Sequence, residues 1–163
     1  MWFRLDLRLK DNPALTAACE RGDVIPVYIY DTFNGEKHGP GSATRWWLHQ
    51  SLLSLNEQLG DSLVIMSGDP KILLAELAAK SGADMITWNR NYEPWQIARD
   101  KHIIKELKGP NLDIYTYNGS LLWEPWDILN KSGQPYKVFT PFYRRGCLEG
   151  PEPRKPIPVP NEK

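Results

Sequence analysis

Charged side chains directly follow the first apolar residues of the chain, and they are the first candidates for chemistry. Residues 1–3 are typical of a very short buried strand, and Arg4, Asp6 and Arg8 follow it within five positions. In an open parallel sheet, ligands bind beyond the carboxyl ends of the strands, where the strand order reverses. Charge at this place favours docking of a ligand or of another domain. A solvated loop with local Arg–Asp pairs explains the pattern equally well, so both alternatives stay open.

No catalytic or metal-binding motif accompanies these charges. The sequence has no GxGxxG or GxxxxGK[ST] phosphate-binding pattern and no GxSxG nucleophile pattern. The three histidines are scattered, and Cys19 and Cys147 have neither CxxC nor metal-ligand spacing. The residues therefore predict a binding domain, with no catalytic residue and no metal site.

Bulk composition excludes several classes of protein. Twenty Lys and Arg balance twenty Asp and Glu among the 163 residues, so the net charge does not favour nucleic acid or an anionic membrane as a partner. No apolar run reaches the length needed to cross a bilayer, and early charges interrupt any signal peptide. The two cysteines fit a reducing compartment, and we expect a cytoplasmic protein.

Segments typical of strands and helices alternate along the first 117 residues. Asn12-Pro13 and Asp69-Pro70 are N-cap and first-turn signals, and Ser42 is the expected cap of a long helix after a loop over 31–41. The predicted strands cover 1–3, 24–30, 63–66, 85–88 and 112–117, and the predicted helices cover 13–21, 42–59, 70–80 and 94–108. This alternation predicts a doubly wound, Rossmann-like α/β fold of five parallel strands, with helices on both faces in three layers.

The alternation ends after residue 117. The following stretch is typical of loops and short helices, and the last thirteen residues contain five prolines. Such a composition predicts an extended linker. We therefore expect a domain over 1–148 and an interdomain linker over 149–163, with a further domain absent from this chain.

Four stretches resemble segments of the DNA photolyase/cryptochrome family in order and spacing. They are "WFRLDLRLKDNPAL" at 2–15, "RWWLHQSLLSLNEQL" at 45–59, "WNRNYEPWQIARD" at 88–100 and "GQPYKVFTPFYRR" at 133–145. One such motif alone is weak, whereas four in register over nearly the whole chain are specific.

The resemblance implies the N-terminal α/β domain of that family, which holds a light-harvesting antenna chromophore. A C-terminal helical domain, absent here, holds FAD, docks damaged DNA and splits pyrimidine dimers with light. The chain is therefore expected to lack catalytic residues of its own, to contact its own helical domain, and to reach DNA only in the full-length protein. The resemblance also implies the strand order 3-2-1-4-5.

Site residues follow from the same resemblance. Arg45 matches a chromophore-contacting arginine, and Asn91 and Glu93 match polar contacts after the fourth strand. Asp31 and Asn89 complete the expected cofactor-binding set. A structural alternative is that Arg45 pairs with Asp31, and that Glu93 only favours a helix N-terminus.

The resemblance assigns the opening charges to the edge of the cleft. Arg4, Asp6 and Arg8 are expected to face the helical domain or the cleft rim. Of two adjacent indoles on the long helix, Trp47 is expected to face the core and Trp46 a neighbour or the cleft. Only one residue precedes Trp2, fewer than is usual in the family, so the first strand is expected to be short.

The antenna differs between family members and can be a folate, a deazaflavin or FMN/FAD. Asn91 stands where an acid is common, which weakens the deazaflavin case, and Trp95-Gln96 replaces an Asn-Glu pair of folate-type members. Two other functions remain open: a cryptochrome-type photoreceptor domain and a stand-alone nucleotide-binding α/β protein. The proline-rich end and the "YKVFTPF" segment speak against the second.

Overall fold

A computed structural model describes residues 1–32 and 39–160. It divides into two compact units, one of Met1–Gly119 with Ile157–Lys163 and one of Ser120–Pro156. Residues 33–38 of the predicted 31–41 loop lie outside the described residues. The predicted boundary at 148/149 falls inside the second unit.

The first unit alternates parallel strands and helices as predicted. Its strands are β1 (Trp2–Phe3), β2 (Val27–Asp31), β3 (Val64–Gly68), β4 (Met85–Asn89) and β5 (Asp113–Tyr117). Its helices are α1 (Pro13–Arg21), α2 (Ser42–Gln58), α3 (Pro70–Ser81) and α4 (Pro94–Leu107). No helix in the described ranges has the length and apolarity to cross a membrane.

Two of the three predicted helix caps form. Asn12 accepts a hydrogen bond from the Leu15 amide, and Asp69 accepts one from the Lys71 amide, each ahead of a proline at the first helical position. The cap of α2 is Gly41 instead of Ser42, and no side chain bonds to the amides of its first turn. The first turn of α2 therefore begins without the side-chain cap that the sequence predicted.

The strands form two hydrogen-bonded groups instead of one five-stranded sheet. β1, β2 and β3 pair in parallel in that order, and β4 pairs in parallel with β5. A backbone ladder between β1 and β4, which the order 3-2-1-4-5 requires, is absent from the described residues. The reason is the brevity of β1, whose two residues pair with β2 before the Arg4 amide turns to bond with Asp6 Oδ1. Side chains still join β1 and β4, because the Trp2 and Trp88 rings meet edge to face at 5.5 Å.

Two apolar clusters hold the first unit together. Trp2, Val27, Ile86 and Trp88 belong to the cluster beside α3 and α4. Phe3, Leu15, Leu52 and Leu55 belong to the cluster beside α1 and α2. Burial of such side chains stabilises the fold by about 1.5–3 kcal/mol each.

The second unit contains a helical turn over Phe139–Pro141 that continues as a π-helical segment over Phe142–Leu148. The Phe139 and Tyr143 rings stack at 5.7 Å, and the Trp123 indole donates to the Pro151 carbonyl at 2.8 Å. Residues 151–160 form neither helix nor strand. In the first unit, however, the Asp11 amide donates to the Ile157 carbonyl and the Ile157 amide donates to Asp11 Oδ1. This part of the predicted linker is therefore attached to that unit.

Candidate functional site

A cavity of about 580 Å³ opens at the carboxyl ends of β1 and β2 in the first unit. Its walls come from the segments after β1 and β4, the end of β2, and the first half of α2. Aromatic and charged side chains alternate in its lining, which includes Trp2, Arg4, Arg8, Tyr28, Tyr30, Asp31, Trp47, Asn91, Glu93, Trp95, Gln96 and Arg99. Its position is the one where open α/β sheets bind ligands.

A buried ion pair forms the floor on the β1 side. Arg4 Nη1 donates to both carboxylate oxygens of Asp100 on α4, at 2.9 and 2.7 Å, and Arg4 Nη2 donates to the Asn89 carbonyl. The Trp88 indole donates to the same carboxylate at 3.1 Å. Burial lowers the pKa of Arg4, while the Asp100 carboxylate acts in the opposite direction and favours the charged guanidinium.

Guanidinium groups and indoles alternate along this wall. Arg4 lies 4.9 Å from the Trp2 ring centre, and Arg99 lies 5.1 Å from Trp2 and 5.2 Å from Trp95. Arg99 also bonds to Asp31 at 3.0 Å, which connects α4 to the end of β2. Such cation–π contacts are stronger when desolvated, so they fix the orientation of a wall that is largely buried.

An amide and carboxylate network joins the ends of β1 and β4. Asn89 Nδ2 donates to Asp6 Oδ2 at 2.5 Å and to Asn12 Oδ1 at 2.7 Å. Asn12 Nδ2 donates back to Asp6, and Asn89 Oδ1 accepts from the Ala14 amide. This network replaces the missing backbone ladder between β1 and β4.

The structure brings five of the eight predicted site residues to the cavity. Arg4, Arg8, Asp31, Asn91 and Glu93 line it. The other three, Asp6, Asn89 and Arg45, are absent from the lining.

Two predicted site residues lie beneath the cavity, and one lies at its rim. Asp6 and Asn89 are buried in the network, so Asp6 differs from the expected cleft-edge residue. Its carboxylate is needed by the amides of Arg4 and Asn12, which explains its burial. Arg45 is exposed and donates to the Pro40 carbonyl and Ser42 Oγ.

One structural alternative does not occur, and one expectation about a side chain was wrong. Arg45 makes no pair with Asp31, because Asp31 is bound by Arg99. Neither indole of α2 enters the core: Trp46 is 62% exposed and Trp47 is 68% exposed. The leucines on the opposite side of α2 fill the core, which leaves Trp47 at the cavity and Trp46 outside its lining.

Most residues at the floor of the cavity were not predicted from the sequence. Arg99 and Asp100 lie within the quoted "WNRNYEPWQIARD" stretch but had no assigned role, and Trp95 entered only the comparison of antenna types. The available signal was the inner face of α4, where Gln96 and Asp100 precede Ile103 at helical spacing. Two polar residues on a buried helix face indicate a buried polar network. Tyr28, whose pKa burial raises to about 12, was also missed.

Fold and site together define a parallel α/β domain with an aromatic, charged cavity and no metal-binding cluster in the described ranges. The profile of the DNA photolyase family matches residues 1–161. The chain therefore belongs to the DNA photolyase family, of which it is the N-terminal α/β domain.

Relatives include both photolyases and cryptochromes. Deoxyribodipyrimidine photo-lyase of Agrobacterium fabrum is 46% identical, over 98% of this chain and 33% of that protein. Cryptochrome-2 of Arabidopsis thaliana is 35% identical, over 91% of this chain and 25% of that protein. The crystal structure of a bacterial class III photolyase from Agrobacterium tumefaciens is 44% identical with a TM-score of 0.88, over 99% of this chain and 33% of that one. The chain thus spans about a third or less of the length of these relatives.

Proposed function

We propose that this domain binds a planar, light-absorbing antenna chromophore in the cavity at the carboxyl ends of β1 and β2. The bound chromophore passes its excitation to a flavin held by another part of the complete protein. The observation that supports this function is the cavity itself, which combines aromatic walls with a few fixed polar groups. Ligand pockets of about 300–1,000 Å³ have this composition.

The cavity also suits what energy transfer requires. A donor chromophore must keep one orientation, and the Arg4–Asp100 and Arg99–Asp31 pairs hold the floor against which it would lie. Trp47 and Trp95 offer indoles for stacking with a planar ring. The chromophore supplies the absorption, while the chain supplies orientation and exclusion of water.

Five residues carry the proposed cofactor contacts in different ways. Asp31, Asn91 and Glu93 line the cavity and contact the ligand directly. Arg45 acts at the rim, where it holds the carbonyl of Pro40, itself a lining residue. Asn89 acts from below by positioning Asp6 and the end of β1.

The chromophore belongs to one of three groups: folates, deazaflavins, or FMN and FAD. Neither Asn91 nor Trp95-Gln96 matches the usual pattern of a deazaflavin-type or folate-type member, so the sequence favours none of them. All three are planar heteroaromatic rings with hydrogen-bonding edges, which the cavity can stack and orient.

For the complete protein we propose light-dependent repair of pyrimidine dimers by a deoxyribodipyrimidine photolyase. A C-terminal helical domain would hold FAD and damaged DNA. This chain itself has zero net charge and no catalytic motif, so it does not offer an obvious site for either. A cryptochrome-type photoreceptor is the second candidate, favoured by the 35% identity to a plant cryptochrome. We further propose a cytoplasmic location, because the two cysteines of the sequence have neither CxxC nor metal-ligand spacing.

A titration of the 163-residue chain with a methenyl folate, a deazaflavin, FMN and FAD tests the antenna function. We expect one of them to bind at micromolar concentration, with a shifted absorption band and quenched tryptophan fluorescence. Ser51→Trp fills the cavity from α2 and should abolish binding, whereas Ser54→Trp, three positions further along the same helix and outside the lining, should not. Equal binding by both variants would place the ligand elsewhere.

A further inference from the structure

The last described residues of the chain are attached to the loop after β1. The Asp11 amide donates to the Ile157 carbonyl at 2.9 Å, and the Ile157 amide donates to Asp11 Oδ1 at 3.1 Å. Ile157 is half-buried and stands between Pro156 and Pro158, which have no amide hydrogen to donate. These two reciprocal bonds, here called the clasp, therefore fix the position of the tail formed by residues 157–160.

The tail also borders an apolar groove of the first unit. A cavity of about 450 Å³ lies beside α1 and the turn after α2, and Val159 and Pro160 form part of its lining. The other lining residues include Leu9, Leu15, Cys19, Val24 and Leu59. Release of the tail would remove one side of this groove, and the half-buried Cys19 would become more accessible.

Asp11 has a backbone conformation that few side chains adopt. Its φ of 52° lies in the left-handed region, where aspartate and asparagine are the best tolerated residues after glycine. Such a conformation persists only where the surrounding structure fixes it, and the two bonds to Ile157 contribute to this. Release of the tail would leave Asp11 free to adopt an ordinary φ, and this rotation would move its carbonyl.

The Asp11 carbonyl connects the tail to the large cavity at the carboxyl ends of β1 and β2. Arg8 lines that cavity, and its Nη2 donates to the carbonyls of Asp11 at 2.9 Å and Gly119 at 2.5 Å. The chain leaves the first unit after Gly119 and returns to it at Ile157. Residues 8–11 thus hold both the exit and the return of the chain, directly beside the cavity.

From these contacts we infer that the clasp is a conformational device, which opens and closes and is coupled to the cavity through Asp11 and Arg8. The closed clasp fixes the carbonyl that orients Arg8. When the clasp opens, Asp11 turns, Arg8 loses one of its two carbonyl acceptors, and the groove at Cys19 opens. Coupling is reciprocal, so whatever fixes Arg8 also favours the closed clasp. This inference goes beyond the proposed antenna function, because it assigns a role to the tail whether or not a chromophore is bound.

Amide hydrogen exchange of the 163-residue chain measures the clasp directly. Between Pro156 and Pro160, only Ile157 and Val159 have an amide hydrogen, so the two signals are easily separated. We expect the Ile157 amide to exchange about tenfold more slowly than that of Val159, relative to the intrinsic rates, because the Val159 amide has no acceptor among the described residues. Equal exchange of the two amides would overturn the clasp.

Two substitutions of Asp11 isolate its side-chain bond. Asp11→Gly removes the acceptor and relieves the backbone angle, so the Ile157 amide should exchange about twofold to tenfold faster. Asp11→Asn keeps an acceptor and tolerates the positive φ, so it should retain the protection. Asp61→Gly is the matched control, because Asp61 also has a positive φ, of 63°, and accepts from Asn56 instead of from the tail. Unchanged protection in Asp11→Gly would overturn the role of the carboxylate.

Alkylation of Cys19 measures the opening of the groove independently. Cys147→Ser leaves Cys19 as the only cysteine of the chain. In this background, Asp11→Gly should speed the alkylation by about the same factor, twofold to tenfold, as it speeds exchange of the Ile157 amide. Rates that stay constant in low urea distinguish local opening from global unfolding. An unchanged alkylation rate would overturn the opening of the groove.

Arg8→Met tests the coupling to the cavity without any ligand. The change removes the donor to the Asp11 carbonyl and keeps an apolar stem, so the Ile157 amide should exchange about twofold to tenfold faster. The effect should shrink in an Asp11→Gly background, since both changes act on one clasp. Arg45→Met is the matched control, because Arg45 lies at the rim of the cavity and donates to the Pro40 carbonyl.

The outcomes separate the coupling from the clasp and from the antenna function. Unchanged exchange at Ile157 in Arg8→Met would overturn the coupling and leave the clasp standing. Equal acceleration by Arg8→Met and Arg45→Met would also overturn it, because the effect would then not pass through the Asp11 carbonyl. None of these measurements needs a bound chromophore, so failure of every chromophore to bind would overturn the antenna function alone.

Discussion

The two walls of the cavity differ in what holds them. The strand wall, built by the ends of β1 and β4 with α4, contains Trp2 and Trp88, which are 1% and 0% exposed. The helix wall, built by the first half of α2, presents Trp47, which is 68% exposed. One wall is a buried network of charges, amides and indoles, and the other places a large aromatic side chain in solvent.

This difference separates stability from recognition. Buried polar groups stabilise a fold only when they are paired, so each member of the strand wall depends on the others. An exposed indole contributes little to folding, and it is common where a surface binds a ligand or partner. We therefore expect substitutions in the strand wall to change unfolding and substitutions in the helix wall to change binding.

Asp100→Ala should produce the largest effect, because it leaves the buried Arg4 guanidinium without its carboxylate. Removal of one partner from a buried ion pair costs about 3–5 kcal/mol in the free energy of unfolding, measured by urea denaturation. Asp100→Asn keeps an acceptor for Arg4 and should lose less. Glu76→Ala is the control, since the exposed Glu76–Lys80 pair should contribute about 0–1 kcal/mol. Similar losses in Asp100→Ala and the control would contradict the separation of the two walls.

Gly119→Ala should have the second-largest effect on unfolding, because the added Cβ would clash within the strand wall. A Cβ at this position would lie 2.5 Å from Asn89 Cγ, and Asn89 is fixed by Asp6 and Asn12. Overpacking of this kind costs about 1–3 kcal/mol in the free energy of unfolding. Gly109→Ala is the matched change, because its Cβ would meet only the Leu107 carbonyl, at 4.0 Å. A stable Gly119→Ala protein would show that Asn89 can move.

The sequence predicted local features of the fold, but it did not predict the contacts of Asp100 and Gly119. The caps at Asn12 and Asp69 were predicted correctly because each needs only a polar side chain and a proline a few positions apart. The helices followed from the same local rules, to within a residue of their ends. The family resemblance added the location of Asn91 and Glu93 in one cavity with Arg8.

The strand wall could not be predicted in this way because its contacts join distant parts of the chain. Arg4 and Asp100 are separated by 96 positions, and no local pattern assigns one to the other. The pairing of Asp31 with Arg99 was missed for the same reason. The expectation that Trp47 is buried failed because the leucines of α2 already fill the core side.

Trp47→Ala tests the helix wall and should weaken chromophore binding more than it changes folding. Loss of one aromatic stacking contact costs about 0.5–1.5 kcal/mol, or roughly two- to tenfold in the dissociation constant. The free energy of unfolding should change by less than about 0.5 kcal/mol, as for other exposed side chains. Trp46→Ala is the control, because this indole is equally exposed but does not line the cavity. Equal loss of affinity in both variants would mean that the helix wall does not contact the ligand directly.

Tyr28 lies on β2 between the two walls, and its substitution should have the smallest effect on stability. Burial raises the pKa of its phenol to about 12, so the folded protein keeps this proton after the unfolded chain has lost it near the ordinary tyrosine pKa of 10.0. Stability from this group is therefore present below pH 10 and is lost as pH rises from about 10 to about 12, because the unfolded state binds fewer protons there. Comparison with Tyr28→Phe, by ultraviolet titration of phenolate and by urea unfolding across this range, isolates the contribution. A bound chromophore that covers Tyr28 should delay its titration further, whereas an unchanged titration would place the ligand against Trp47 and away from β2.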